Sequence, residues 1–139
     1  MIQFFYEDCD KEVSINEKEL LKTTQLIDIE GFKKGELTVV FCSDAYLLTM
    51  NKQHLNHDYY TDIITFSYVE DGIISGDLFI SVDRVFENAI HERVSKQKEM
   101  ARVLIHGLLH LCGYNDKTKE ESRVMRLKEN QYLLMIGFT

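Results

Sequence analysis

Proline does not occur in this chain, so every turn and helix end falls to Gly, Asn, Asp or Ser. Cysteine is scarce and odd in number: Cys9, Cys42 and Cys112, with no Cys-x-x-Cys pair. That speaks against a disulfide framework and for a reducing cytoplasm. No apolar run approaches the roughly 20 residues of a membrane span, so no membrane partner is expected. The opening Met1-Ile2-Gln3-Phe4-Phe5-Tyr6-Glu7 lacks the basic region of a secretory signal. No repeat, low-complexity tract or linker stands out. Positive charge is also in deficit, with 16 Lys and Arg against 23 Asp and Glu, a net charge of -7. Such a balance argues against indiscriminate nucleic-acid binding.

What is present is the composition of an ordinary soluble globular protein. The 139 residues are 45% apolar and 28% charged, which predicts one domain over 1–139 with a sizeable core. Ile, Leu, Val and Phe occur throughout, which excludes disorder as the dominant state. The charge is unevenly spread. Residues 1–90 hold 7 basic and 17 acidic side chains, a net of -10, whereas residues 91–128 hold 9 basic and 5 acidic, a net of +4. The basic segment either steers an anionic partner to one face or is the solvated side of two amphipathic helices.

Hydrophobic patterning predicts an α+β fold, with a small mixed sheet of about four strands packed against several helices. Ile2–Tyr6 reads as a strand, and residues 14–30 as a helix capped by Ser14 or Asn16 and stopped at Gly31. Leu37–Cys42 is a buried strand, followed by a helix capped by Ser43 or Asp44 and ending near Asn51. The polar stretch Asn51–Thr61 reads as a loop. Ile63–Tyr68 and Gly76–Val82 form a hairpin across the turn Glu70-Asp71-Gly72. Three helices follow: Asp83 to about Glu92, Ser95 to Cys112 with Gly113 as its stop, and Thr118 to about Met135 with a Thr118/Glu121 capping box.

The informative segment is His106-Gly107-Leu108-Leu109-His110-Leu111-Cys112-Gly113-Tyr114-Asn115-Asp116. Residues four apart on a helix share a face, with Cβ atoms about 5–6 Å apart, so His106 and His110 can hold one metal ion. A left-handed Gly113 reverses the chain and lets Asp116 swing back as a third ligand. Two imidazoles and a carboxylate leave one position open for water, as catalytic zinc requires, and water bound there ionises near neutral pH. Two His at this spacing are also found simply as half-buried helix residues. Here they sit within the most apolar helix of the chain, where an unpartnered imidazole is costly.

The segment resembles the HGxLHLxGYDH signature of the YbeY-type metallo-endoribonucleases through His106, Gly107, Leu109, His110, Leu111, Gly113 and Tyr114. Asn51 to Phe66, with Thr61-Asp62-Ile63-Ile64-Thr65-Phe66, resembles the family's LN…TDVLSFP stretch, and Gly76-Asp77-Leu78-Phe79-Ile80-Ser81 its GDI-like strand. The resemblance covers about residues 37–135. It implies a cytoplasmic hydrolase, with one Zn(2+) per chain, that cleaves single-stranded RNA. It further implies a role in 3′-end maturation of small-subunit rRNA and in ribosome quality control, with RNA and the small ribosomal subunit as partners. The metal ligands carried over are His106, His110 and Asp116. His57 and Asp62 are possible helpers to a metal-bound water, and Lys117, Lys119 and Arg102 are expected RNA contacts.

Three departures from the family stand out. Asp116 replaces the usual third histidine, and carboxylate oxygen also suits zinc. Leu55 occupies the position of an arginine that would meet phosphate charge, and His57, Lys52 or a basic residue of 91–128 would have to substitute. Tyr60 and Ser67 replace prolines, which alters backbone stiffness and not chemistry.

Other classes compete. A zinc peptidase fits the metzincin-like spacing His106-x3-His110-x2-Gly113-x2-Asp116, but Gly107 stands where the general-base glutamate belongs. A non-haem Fe(II) oxygenase uses two His and a carboxylate, though not on helical HxxxH spacing. A zinc-containing rRNA-binding assembly factor with little nuclease activity is favoured by the missing arginine. Gly107 has two compatible readings, close packing against a strand or room for metal or substrate. Cys112 reads as a small core residue rather than a ligand.

Overall fold

The computed structural model describes residues 1–9 and 15–139. In chain order the elements are β1 (Ile2–Glu7), α1 (Glu17–Leu21), a 3-10 turn (Lys22–Thr24), α2 (Gln25–Ile29), β2 (Lys33–Cys42) and α3 (Asp44–Leu55). They continue with β3 (Ile63–Ser67), β4 (Ile73–Ser81), α4 (Val82–Glu92), α5 (Lys96–Leu111) and α6 (Lys119–Met135). The fold is α+β, and the sheet is mixed, in the order β1-β2-β4-β3. β1 and β4 both run parallel to β2, and β3 pairs antiparallel with β4. No helix among the described residues is long and apolar enough to cross a membrane.

Most predicted elements form, with shifted boundaries. The first helix starts at Asn16, whose side chain accepts from the Glu19 N–H; Ser14 lies outside the described residues. Its middle tightens into a 3-10 turn where the Thr23 and Thr24 hydroxyls donate to the carbonyls of Leu20 and Leu21. Threonine hydroxyls compete in this way with regular helical bonding. β4 begins at Ile73 and ends at Ser81, whose side chain caps α4. The hairpin turn has Asp71 and Gly72 both at positive φ, as a two-residue type I′ connection demands.

The helix after β2 corrects the expected boundary at Asn51. It runs four residues further, to Leu55, and stops where Asn56 adopts φ 55° and ψ 31°. The polarity of Lys52, Gln53 and His54 marks an exposed helix face, whereas Asn51 turns inward and is only 1% exposed. With no proline to break it, the helix ends at Asn56, a residue type that takes the left-handed conformation cheaply.

One layer of the core places α5 across the sheet. Leu104, Ile105, Leu108 and Leu109 are fully buried against Val39, Phe41, Leu78 and Ile80. Gly107 sits tight against the sheet: a Cβ there would lie 2.6 Å from Leu78 Cδ2 and 2.7 Å from Ile63 Cδ1. Helix and sheet can meet at this depth only without a side chain. The packing reading of Gly107 therefore holds, and His106 and His110 flank it on the side of α5 that borders the cleft.

Candidate metal centre

The side chains of His106, His110 and Asp116 converge. One ligand atom from each lies within 4.8 Å of the others. The histidines project from one face of α5, and Asp116 returns after the Cys112 cap and Gly113, whose φ is 104°. Asp116 Oδ2 lies 3.2 Å from His106 Nε2 and 3.6 Å from His110 Nε2, and the two Nε2 atoms are 3.0 Å apart.

The far side of each ring decides what the near side offers. His110 Nδ1 lies 2.8 Å from the Tyr114 carbonyl, which can only accept, so Nδ1 carries the proton. His106 Nδ1 lies 2.7 Å from Glu129 Oε2, a carboxylate 3% exposed. With both Nδ1 atoms donating outward, both Nε2 lone pairs point at each other and at the Asp116 carboxylate. Three acceptors then face one point with no donor among them, an arrangement that a cation resolves. A tetrahedral ion with bonds of about 2.0–2.1 Å sets its ligand atoms about 3.3 Å apart, and the three separations scatter around that value. The donor set thus fits a metal ion, and outward hydrogen bonds of this kind orient metal-ligating histidines generally.

Behind His106 lies a buried ion network. Arg102 donates from Nε to Glu99 Oε1 at 3.0 Å, from Nη2 to Glu99 Oε2, and from Nη1 to Glu129 Oε1 at 3.3 Å. Burial pushes the Glu99 carboxyl up, and the Arg102 charge and hydrogen bonds counter only part of that. Burial of His106 opposes its charged form, but the Glu129 hydrogen bond and the negative fields of Glu129, Asp116 and Asp62 outweigh it, and its pKa rises.

The trio lines a cleft of about 750 Å³. His57, Asp62 and Lys117 line that cleft, and so does Leu55, 40% exposed. Lys119 begins α6, outside that lining. Arg102, expected as an RNA contact, is held between Glu99 and Glu129, where it braces the carboxylate that holds His106. Much of the basic segment is likewise engaged within the chain. Arg123 pairs with Glu120 and Lys128 with Glu30, whereas Lys117 and Lys119 form no ion pair among the described residues. Cys112 is not drawn into the site, and burial first and the Glu30 charge second push its thiol up to about 11.

Sequence reasoning missed Glu99 and Glu129 as parts of the site. A signal was present for the first. Glu99, Arg102, His106 and His110 follow helical spacing and draw one polar stripe along an otherwise apolar helix. Glu129 lies 23 residues from His106 on another helix, and no local pattern connects them.

A family model described as Endoribonuclease YbeY matches residues 5–137. The Endoribonuclease YbeY of Phocaeicola vulgatus is 52% identical over 107 residues, 77% of this chain and 78% of that protein. The one from Cytophaga hutchinsonii is 45% identical over 138 residues, 97% of this chain and 96% of that protein. Among solved structures, the solution structure of TM1509 from Thermotoga maritima superposes with a TM-score of 0.70 at 28% identity, covering 98% of this chain and 89% of that one.

Proposed function

The chain belongs to the endoribonuclease YbeY family, and from that premise we propose a zinc-dependent, single-strand-specific endoribonuclease of the cytoplasm. It matures the 3′ end of small-subunit rRNA and takes part in ribosome quality control, with the small ribosomal subunit as its partner. Its named relatives are endoribonucleases, which makes the chain a nuclease and hence a hydrolase. One observation carries the metal-dependent reading: three acceptor atoms converge in a cleft with no donor between them.

His106, His110 and Asp116 would hold the ion, one per chain. When bound, zinc supplies water activation near neutral pH and Lewis acidity toward a phosphoryl oxygen. Glu129 and the Tyr114 carbonyl keep the two Nδ1 protons facing outward, so both Nε2 atoms remain ligands. Asp62 and His57 line the same cleft and are able to exchange a proton with substrate or water. Lys117 at the cleft and Lys119 nearby supply positive charge for phosphates. A peptidase reading finds no base at position 107, because that position faces Leu78 and Ile63 of the sheet.

The test is metal analysis of purified protein beside cleavage of a single-stranded RNA, with and without a chelator. We expect about one zinc per chain, cleavage lost on chelation and restored by zinc, and both lost in His110→Ala. Protein that carries no transition metal, and binds none more tightly than micromolar on titration, refutes the reading. Leu55 at the cleft offers no guanidinium to a phosphate, which favours a second reading, the zinc-containing rRNA-binding assembly factor. Stoichiometric zinc and RNA binding without chelator-sensitive cleavage would select it.

A further inference from the structure

The loop from α3 to β3 is held in place by a buried side chain. Asn51, 1% exposed, accepts from the His57 N–H at its carbonyl at 3.0 Å and donates from Nδ2 to the Tyr59 carbonyl at 2.9 Å. The anchored loop presents two rings as a unit. His57 and Tyr59 stack with centroids 5.1 Å apart and planes 21° from parallel, and the Tyr59 hydroxyl and His57 Nδ1 are hydrogen-bonded at 3.0 Å. Both side chains line the cleft that holds His106, His110 and Asp116. Tyr59 nevertheless remains 55% exposed, so a preset aromatic surface faces water beside the metal centre.

The cleft is also poor in cations. Among the described residues Lys117 is its one Lys or Arg, on a chain of net charge -7, and Leu55 contributes none. Phosphate contacts alone therefore give a nucleic acid little hold here. A ring face does not depend on charge, and every base has a π-face that can stack on it.

We propose that the His57–Tyr59 pair is a nucleobase subsite, on which one unpaired base of a single-stranded RNA stacks while the adjoining backbone enters the cleft. The proposal rests on the ribonuclease reading above. It adds a physical reason for single-strand preference, because a base within a duplex has both faces covered by its neighbours. Removing a stacking aromatic typically weakens single-strand binding by roughly 5- to 100-fold.

The experiment uses the full chain with zinc loaded and a single-stranded RNA decamer carrying 2-aminopurine, whose fluorescence falls on stacking. The wild-type protein should quench the probe. Tyr59→Ala should lose the quench and weaken binding about tenfold, with the loss falling in KM and zinc content retained. Tyr59→Phe keeps the ring and should stay within about threefold of the wild type. Wild-type-like quenching and affinity in Tyr59→Ala overturn the subsite alone. A wild-type protein that neither binds nor cleaves the decamer overturns the ribonuclease reading together with it.

Discussion

Replacing Glu129 by glutamine should weaken zinc binding by about 10- to 100-fold, although Glu129 touches no metal. The change keeps the shape of the side chain and removes its charge. Glu129 accepts at two points: Oε2 from His106 Nδ1 at 2.7 Å and Oε1 from Arg102 Nη1 at 3.3 Å. A glutamine has one acceptor atom for these two donors. If its oxygen turns to His106, its amino group faces the Arg102 guanidinium. If its oxygen turns to Arg102, its amino group faces His106 and favours the tautomer with the proton on Nε2, which cannot ligate. Losses of that size accompany removal of such orienting groups in other metal sites. Stability should fall as well, but not collapse, because Arg102 keeps its paired contact with Glu99. Loss of a hydrogen bond to a charged group costs about 1.5–3 kcal/mol, or roughly 5–10 °C in Tm for a chain of this length. The assay is competition for zinc against a chromophoric chelator, beside a thermal melt of the metal-free protein, with His106→Ala as the reference for a lost ligand. A zinc affinity within about twofold of the wild type, in a folded variant, would show that the Glu129 contact does not hold the ligating tautomer of His106.

Charge reversal of Lys117 and Lys119 to Glu should weaken single-stranded RNA binding and flatten its salt dependence, because each lost phosphate contact removes a counterion-release contribution; an unchanged slope would make them a solvated face only. Leu55→Arg should leave metal content alone and raise cleavage at least about tenfold, since Leu55 lines the cleft and a guanidinium there can meet phosphate oxygens; rates that do not move would favour the assembly-factor reading. Glu30 accepts from the hydroxyls of Tyr114 and Tyr132 and from Lys128. Burial works against its ionisation, but those donors and the Lys128 charge outweigh burial and lower its pKa. A depressed folded pKa means the stabilisation is complete above the unfolded value of about 4.3 and is lost as pH falls through the folded value. The stability difference between wild type and Glu30→Gln in urea titrations should therefore be flat above about pH 5 and shrink in more acidic solution.

Much of this protein is determined by its sequence alone, through effects that act within one turn of chain. The 3.6-residue period places His106 and His110 on one face of α5. The left-handed Gly113, with φ 104°, returns the chain so that Asp116 reaches both rings. Ser43, Ser81, Ser95 and Thr118 cap four helices by bonds to backbone N–H groups three residues on. Tertiary structure decided the rest, because those pairings depend on how elements are rotated against one another. Glu129 reaches His106 only because α6 packs beside α5, and Glu30 reaches Tyr114 across 84 residues. Arg102 braces Glu129 from between two buried carboxylates, a role that its charge alone does not announce. Asn51, polar and read as the start of a loop, turned inward as the anchor of His57 and Tyr59. A side chain's charge and polarity are properties of the residue, whereas the partner it meets is set by the packing of distant segments, and local pattern carries no record of that.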